Sequence, residues 1–278
     1  MSNQPLLDES DFYDYQPYQQ QPAEVHQMAS YDYCNSQFDY RNYDFNQIPL
    51  LFHQAPSDWC SINYYEMDTQ IGETFKGSHQ FYSRVTVDGG MNPLGENHGR
   101  FCLGVLSNVH RTEASEKARV HIGDGIVIET LPNDTVTVTT RGCKIFVRSG
   151  FLDYHTRVQY GSKAHRYTPV DGPITVFDLR WAYVQMLRRR DSSNHAARAQ
   201  AAAVAGYSTG GMAAPTVVPD SGVDRMRRDF CTIAISFVKG WGECYPRNTI
   251  KETPCWIEIQ LHKPLQLLDL LLKQSSTS

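Results

Sequence analysis

Cysteine and histidine are the side chains best suited to forming bonds or holding a metal, and the chain contains seven of the first and ten of the second. Zinc and disulfide frameworks need paired or repeated spacings. Cys34, Cys60, Cys102, Cys143, Cys231, Cys244 and Cys255 instead occur singly, and His110 and His121 stand eleven residues apart. Cys102 and His110 can be drawn as a nucleophile and its base. A free cysteine more often packs as a small hydrophobe, and that reading is preferred. The glycine turns GDG (123–125) and GWG (240–242) lack the strand–GxGxxG–helix setting that cradles phosphate. HExxH and P-loop patterns do not occur. The expectation is a reduced, intracellular binding protein with no cofactor and no metal, not an enzyme.

The elements that would position any binding residue are mostly short strands. TVTVTT (135–140) alternates strictly, as a half-buried strand must. Further strands are expected at 60–67, 84–89, 100–106, 125–130, 144–148, 173–177, 231–238 and 255–262. In the last, Cys255, Ile257, Ile259 and Leu261 share one face, with Glu258 and Gln260 on the other. So many short strands between turn residues argue for a sandwich. Helices are expected at 112–123, closing at Gly123, and at 178–190, capped by Asp178. The Ala-rich 195–206 prolongs or follows the second. A short helix is expected at 223–230. The last begins with Pro264 in its first turn and runs LQLLDLLLK, whose leucines surround it and demand cover.

Charge separates an arm from a body. Residues 1–50 contain one basic residue, Arg41, against eight acidic ones, whereas the other 228 carry 25 basic and 22 acidic side chains. The segment 1–55 is rich in Tyr, Gln, Asn and Asp and poor in aliphatics. It cannot bury enough apolar area to offset the entropy of ordering, so a disordered arm is expected, either a tether or an acidic-aromatic surface for coactivators. No apolar run reaches membrane-spanning length, and the first residues lack a signal-peptide pattern.

Three segments are specific. DWCSINYYEMDTQIGETF (58–75), RFCLGVLSNVHRTEASEKARVHIGDG (100–125) and SFVKGWGECYPRNTIKETPCWIEIQLHKPLQLLD (236–269) closely resemble the second Mad-homology domain of Smad proteins. VHRTEA and YPRNTIKETPCWIEI resemble its common-mediator branch. The resemblance covers about residues 56–273, with a flexible insert at about 191–222 and a serine-rich tail at 274–278.

That resemblance implies a mainly β fold of the Smad/forkhead-associated type: a β-sandwich with a loop–helix region at one end and a three-helix bundle at the other. It implies homo- or heterotrimers joined head to tail, with Arg111 and Asp269 in a charged interface. It implies a phosphoserine site made by Lys239 and Arg247, from VKGWGECYPRN (238–248), with Arg166 beside them. The implied role is that of a transcriptional co-mediator of transforming-growth-factor-β/BMP-type signalling, in cytoplasm and nucleus. Its partners would be phosphorylated receptor-regulated Smads, transcription factors and coactivators, with DNA reached only through them and no membrane. Around 150–165 the sequence departs from the family: Tyr154 stands where a basic residue is expected, and Arg157 is the substitute at hand. The chain ends QSSTS, making Ser275, Ser276 and Ser278 candidate phosphorylation sites in a receptor-regulated reading. A tail beyond a helix ending near Lys273 or Gln274 spans at most about 14 Å, so a serine-rich end without that role is preferred. Residues 1–55 hold no zinc-ligand cluster, so a decoy that trimerises without a DNA-binding domain is the other alternative.

Overall fold

The computed structural model describes residues 40–43, 56–78, 83–204 and 222–276. Among the described residues, eleven strands form two sheets. The larger has the order β2-β1-β11-β10-β7-β8 and the smaller β4-β3-β5-β6-β9. Their ranges are β1 Asp58–Glu66, β2 Thr69–Ser78, β3 Arg84–Asp88, β4 Arg100–Cys102, β5 Ile126–Thr130, β6 Thr135–Thr140, β7 Ile145–Arg148, β8 His165–Tyr167, β9 Ile174–Asp178, β10 Thr232–Phe237 and β11 Trp256–Leu261. Neighbours are antiparallel, apart from the parallel pair β3–β4. This is the expected β-sandwich.

The core follows from the pleat. Ile62, Ile257, Ile259, Ile233, Ile235 and Val147 point inward from the larger sheet and meet Val85, Val87, Ile126, Ile128 and Val138 of the smaller one, each at most 1% exposed. Burying such side chains contributes roughly 1.5–3 kcal/mol apiece. The expected alternation in β11 holds, with Glu258 and Gln260 on the outward face.

Among the described residues, five α-helices flank the sandwich: α1 Glu113–Val120, α2 Gly150–Thr156, α3 Leu179–Val204, α4 Val223–Phe230 and α5 His262–Ser276. α3, α4 and α5 pack on one another as the expected bundle. Leu267, Leu268 and Leu271 of α5 are buried, which supplies the cover its leucines require. Asp178 caps α3 as expected, accepting from the backbone N–H groups of Arg180 (2.8 Å) and Trp181 (3.2 Å).

Several boundaries differ from expectation. The segment 100–106 is a strand only to Cys102, after which Leu103–Val105 turn as a 3-10 helix. α1 ends at Val120, and Gly123 serves the following turn at φ 54°. Strands β2 and β8 and helix α2 were not anticipated; β2 and β8 are sheet edges whose patterns are weak. The Ala-rich stretch prolongs α3 to Val204, so the insert expected from about 191 is helical over its first part, because alanine is the best helix former. The remaining insert, 205–221, lies outside the described residues. α5 runs to Ser276 and takes Ser275 and Ser276 into its last turn, where a separate tail from 274 was expected. Ser278 lies outside the described residues.

The arm also departs from expectation at one place. Residues Tyr40–Asn42 form a 3-10 turn, and Tyr40 is buried. Its ring lies edge-on to Tyr154 (6.1 Å) and His155 (6.2 Å) of α2, with its hydroxyl 3.3 Å from His155 Nε2. Tyr43 stands edge-on to Tyr183 of α3 at 5.8 Å. Two tyrosines three apart fall on one side of such a turn, so both reach the same surface. The rest of the arm, 1–39 and 44–55, lies outside the described residues.

Burial, and then the nearby Arg41 cation, hold the His155 imidazole below its ordinary value. The neutral ring is therefore the one that fits the docked turn, and docking is complete above the free-histidine pKa and weakens as protons are added. Acidification from about pH 7.5 to about pH 5.5 is expected to expose Tyr40, read as lower amide protection factors at 40–43. A His155→Phe variant should lose that pH response. Equal protection factors at both pH values in the wild type contradict this account.

Candidate interaction surfaces

The loop–helix end is organised by a carboxylate that the sequence did not single out. Glu66 closes β1, and its side chain is 2% exposed. It accepts from Arg111 Nε at 2.9 and 3.0 Å, from Asn108 Nδ2 at 2.8 Å and from the Tyr64 hydroxyl at 3.1 Å. Arg119 Nε stands 3.8 Å away. Arg111 Nη2 donates to the Leu106 carbonyl (2.8 Å), and Nη1 reaches Glu116 at 3.4 Å. Arg119 Nη2 donates to the carbonyls of Leu103 and Gly104. One buried carboxylate thus fixes the turns before α1 through two arginines.

Arg111 is neither a loose surface charge nor sealed away: its side chain is 14% exposed. Three exposed valines stand on the same stretch of chain, Val105 (38%) and Val109 (92%) before α1 and Val120 (75%) at its end. Burial pushes the Tyr64 phenol far up, and Cys255 beside it is pushed up to about 12, again by burial first. Cys255 is therefore an inert thiol. Cys102 is also buried; its ionic neighbours are Asp88 and Arg100, and His110 is not among its partners. That pair does not form a catalytic dyad.

Asp269 lies in α5, half exposed, with Arg227 of α4 at 3.6 Å. The structure does not bring Asp269 to Arg111 within one chain: Arg111 pairs with Glu66 and Glu116, and Asp269 with Arg227.

The third surface is the outer face of the larger sheet. Across it, Tyr65, Trp256, Ser236, Phe146 and Arg166 stand opposite one another in turn along one row. Tyr65 stacks on Trp256 with ring centres 4.1 Å apart, and Phe146 meets Tyr245 edge-on at 5.3 Å. Phe146, Ala234, Trp241, Ile250 and Trp256 make a small second core that anchors loop 238–248. A Cβ on Gly240 would come within 2.7 Å of the Tyr245 ring and 2.8 Å of Phe146, so the loop packs this closely only with glycine there.

The loop begins with a strained residue. Val238 has φ 67°, and the Lys239 N–H donates to the Phe237 carbonyl across it at 2.7 Å, the bond of the rare γ-turn with positive φ. For a β-branched residue such a conformation costs on the order of 1–3 kcal/mol. The Val238 N–H bond to the Lys144 carbonyl (3.0 Å) and the Ser236 hydroxyl bond to the Lys239 carbonyl hold it in place. The result is a fixed exit for Lys239. Further along, the Gly242 N–H donates to the Arg247 carbonyl (2.7 Å), and Arg247 Nη1 reaches the Gly240 carbonyl at 3.4 Å. Lys239 and Arg247 therefore belong to one braced loop, and Arg166, exposed on β8, shares its sheet face.

The two residues discussed for the missing basic position do not join this face in the same way. Tyr154 packs on Tyr40, His155 and Trp181, in the aromatic cluster under α3. Arg157 caps α2 with φ 57° and is exposed. Among the described residues, no group of three or more His, Cys, Asp or Glu is arranged to hold a metal, and no helix is long and apolar enough to cross a membrane.

A family model described as the MH2 domain matches residues 57–262. Among curated proteins, Dwarfin sma-4 of Caenorhabditis elegans is 65% identical over 234 residues, covering 84% of this chain and 41% of that protein. Mothers against decapentaplegic homolog 4 of Homo sapiens is 48% identical over 235 residues, covering 81% of this chain and 42% of that protein. The chain thus matches about two fifths of the length of these relatives.

Removing Glu66 leaves two arginines without their buried counter-charge, so Glu66→Ala is expected to lower unfolding free energy by about 3–5 kcal/mol in urea titrations. Asp269→Ala, which removes a half-exposed charge, should cost under about 1 kcal/mol. Equal costs for the two variants would show that Glu66 does not organise this end.

Proposed function

Because the chain belongs to the MH2-domain family, on the common-mediator side of the Smad proteins, we propose that it is a signal transducer and transcriptional co-mediator of transforming-growth-factor-β/BMP-type signalling. It binds phosphorylated receptor-regulated Smads in trimers, and it works by assembly, with no bond made or broken. Recruitment of transcription factors and coactivators, and passage between cytoplasm and nucleus, belong to the same reading.

The observation that carries it is the cationic face built on loop 238–248. A phosphoserine holds about −1.5 to −2 charges and three acceptor oxygens. Lys239, Arg247 and Arg166 offer charge-assisted donors to such a group, and the strained, aromatic-buttressed loop fixes two of them before a ligand arrives. Pre-organisation of this kind lowers the entropy lost on binding.

The trimer reading rests on the loop–helix end. Arg111 is braced by Glu66 yet retains some exposure, and exposed valines stand on the same loop and on α1. An apolar patch rimmed by charge suits a neighbouring subunit, and Asp269, on a different element and half exposed, is the matching charge offered by the next copy. Such a heterologous contact closes into a ring when its rotation divides the circle.

Two measurements test this. Fluorescence anisotropy with a Ser-Ser-x-Ser peptide should show binding only when the peptide is phosphorylated, weakened about tenfold or more by Arg247→Gln or Lys239→Gln. In sedimentation with a phosphorylated partner, Val109→Glu should abolish the mixed trimer while thermal unfolding stays unchanged. Equal binding of the phosphorylated and unphosphorylated peptides defeats the phosphopeptide reading, and a normal trimer with Val109→Glu defeats the interface.

A further inference from the structure

Two Thr-Pro dipeptides and no Ser-Pro occur in the chain, at Thr168-Pro169 and Thr253-Pro254. A proline after the acceptor holds that residue extended and removes the next N–H, the feature that proline-directed kinases select. The fold treats the two dipeptides differently. Thr253 is 0% exposed, and its hydroxyl donates to the Ile250 carbonyl at 2.6 Å. Thr168 follows β8 at the edge of the larger sheet and is half-buried, and Pro169, Val170 and Asp171 are exposed after it, Val170 at 92%. A kinase reaches Thr168 without unfolding the sandwich, since only the short turn Pro169–Asp171 has to open.

Thr168 caps that 3-10 turn. Its backbone N–H donates to Asp171 Oδ2 at 2.5 Å, and its hydroxyl donates to the same oxygen at 2.8 Å. These two bonds, and then the Arg166 cation, hold the Asp171 carboxyl below its ordinary value. The field of Arg166 thus reaches the carboxylate that the Thr168 hydroxyl touches. Register and pleat supply the reason. Arg166 stands opposite Phe146 on the outer face, while Tyr167 packs on the core. Thr168 has φ −129° and ψ 165°, so the extended chain continues and its side chain leaves on the Arg166 side. Alternate residues on one face of a strand stand about 6–7 Å apart at Cα, a gap that a phosphate and a guanidinium close.

We propose that Thr168 is the acceptor for a proline-directed kinase, and that its phosphate pairs in cis with Arg166 and withdraws that arginine from a bound phosphoserine. The coupling to phosphoserine rests on the phosphopeptide reading above; the modification site does not. In the transfer, Thr168 Oγ1 attacks the γ-phosphorus of ATP, the Oγ1–P bond forms as the bond to ADP breaks, and the hydroxyl proton passes to the base of the kinase. The product carries about −1.5 to −2 charges beside Asp171 and has lost the proton it donated there. Like charges then drive Asp171 away, and the phosphate replaces it as the stronger acceptor for Arg166. Lys239 and Arg247 keep their places in the braced loop. Affinity for a phosphoserine tail therefore falls without vanishing.

To test it, the full chain is incubated with ATP and a purified proline-directed kinase, and the phosphate is located by mass spectrometry. It is expected on Thr168 and not on Thr253, and a Thr168→Val variant should take up none. A chain that gains no phosphate at Thr168 overturns the proposal. The phosphorylated protein should then bind a phosphorylated Ser-Ser-x-Ser peptide about tenfold more weakly than the unmodified protein. Kinase-treated Thr168→Val should bind it as the unmodified wild type does. Undiminished affinity after phosphorylation overturns the coupling. If the unmodified protein does not bind the peptide, the phosphopeptide reading is what fails. The cis pair is then decided by phosphorus-31 NMR: the second ionisation of the phosphothreonine should occur at lower pH in wild type than in Arg166→Gln, because the guanidinium favours the dianion. Equal titration curves overturn the pair.

Discussion

Side chains alternate across a pleated strand, and the rest of this molecule is arranged around that constraint in its larger sheet. With one face turned to the smaller sheet, inward positions of β1, β11, β10 and β7 must be apolar, and they are until Glu66 closes β1. The outward positions are then aligned across strands by register and fall into rows. One row is aromatic and ends in Arg166; the next is polar and ends in Arg148. A slip of one residue in β7 would move both Phe146 and Arg148 into the core, which makes the register costly to change.

The aromatic row gives the loop after β10 something to rest on. Without Trp256 and Phe146 beneath it, a glycine-punctuated segment of this kind would be held only by its own hydrogen bonds. The small second core allows Val238 to keep a backbone conformation unfavourable for valine, and that conformation directs Lys239. Local strain is here stored where charge has to be presented at a fixed place. The opposite device operates at the loop–helix end, where no strain is needed because a buried carboxylate draws two arginines inward and ties the preceding turns to them. Its desolvation is expensive, and it is offset only because every oxygen has a close donor.

The arm and the bundle illustrate how tertiary context overrides composition. Nothing in YRNY would hold a turn alone, since three residues supply too few hydrogen bonds to fix their own dihedrals. Tyr40 and Tyr43 are ordered by rings already standing on α2 and α3. The same cluster takes in Tyr154, which explains why that residue belongs to the core side of α2 and not to the charged face.

By itself the sequence determined the class of fold, most strand positions and the α3 cap, because periodicity and capping are local and repeat over enough residues to be read. Its long motifs also marked Lys239, Arg247, Arg166, Arg111 and Asp269. Only the tertiary structure decided the rest. Glu66 looks like one more strand residue until Arg111 and Arg119, 45 and 53 positions later, converge on it. Arg148 looks like the polar end of a strand until register sets it beside Arg166 and α4 closes a cleft over it. The physical reason is the same in both cases: the energy of a buried or half-buried charge depends on what faces it across space, and that partner is chosen by the pairing of strands, not by the neighbours in the chain.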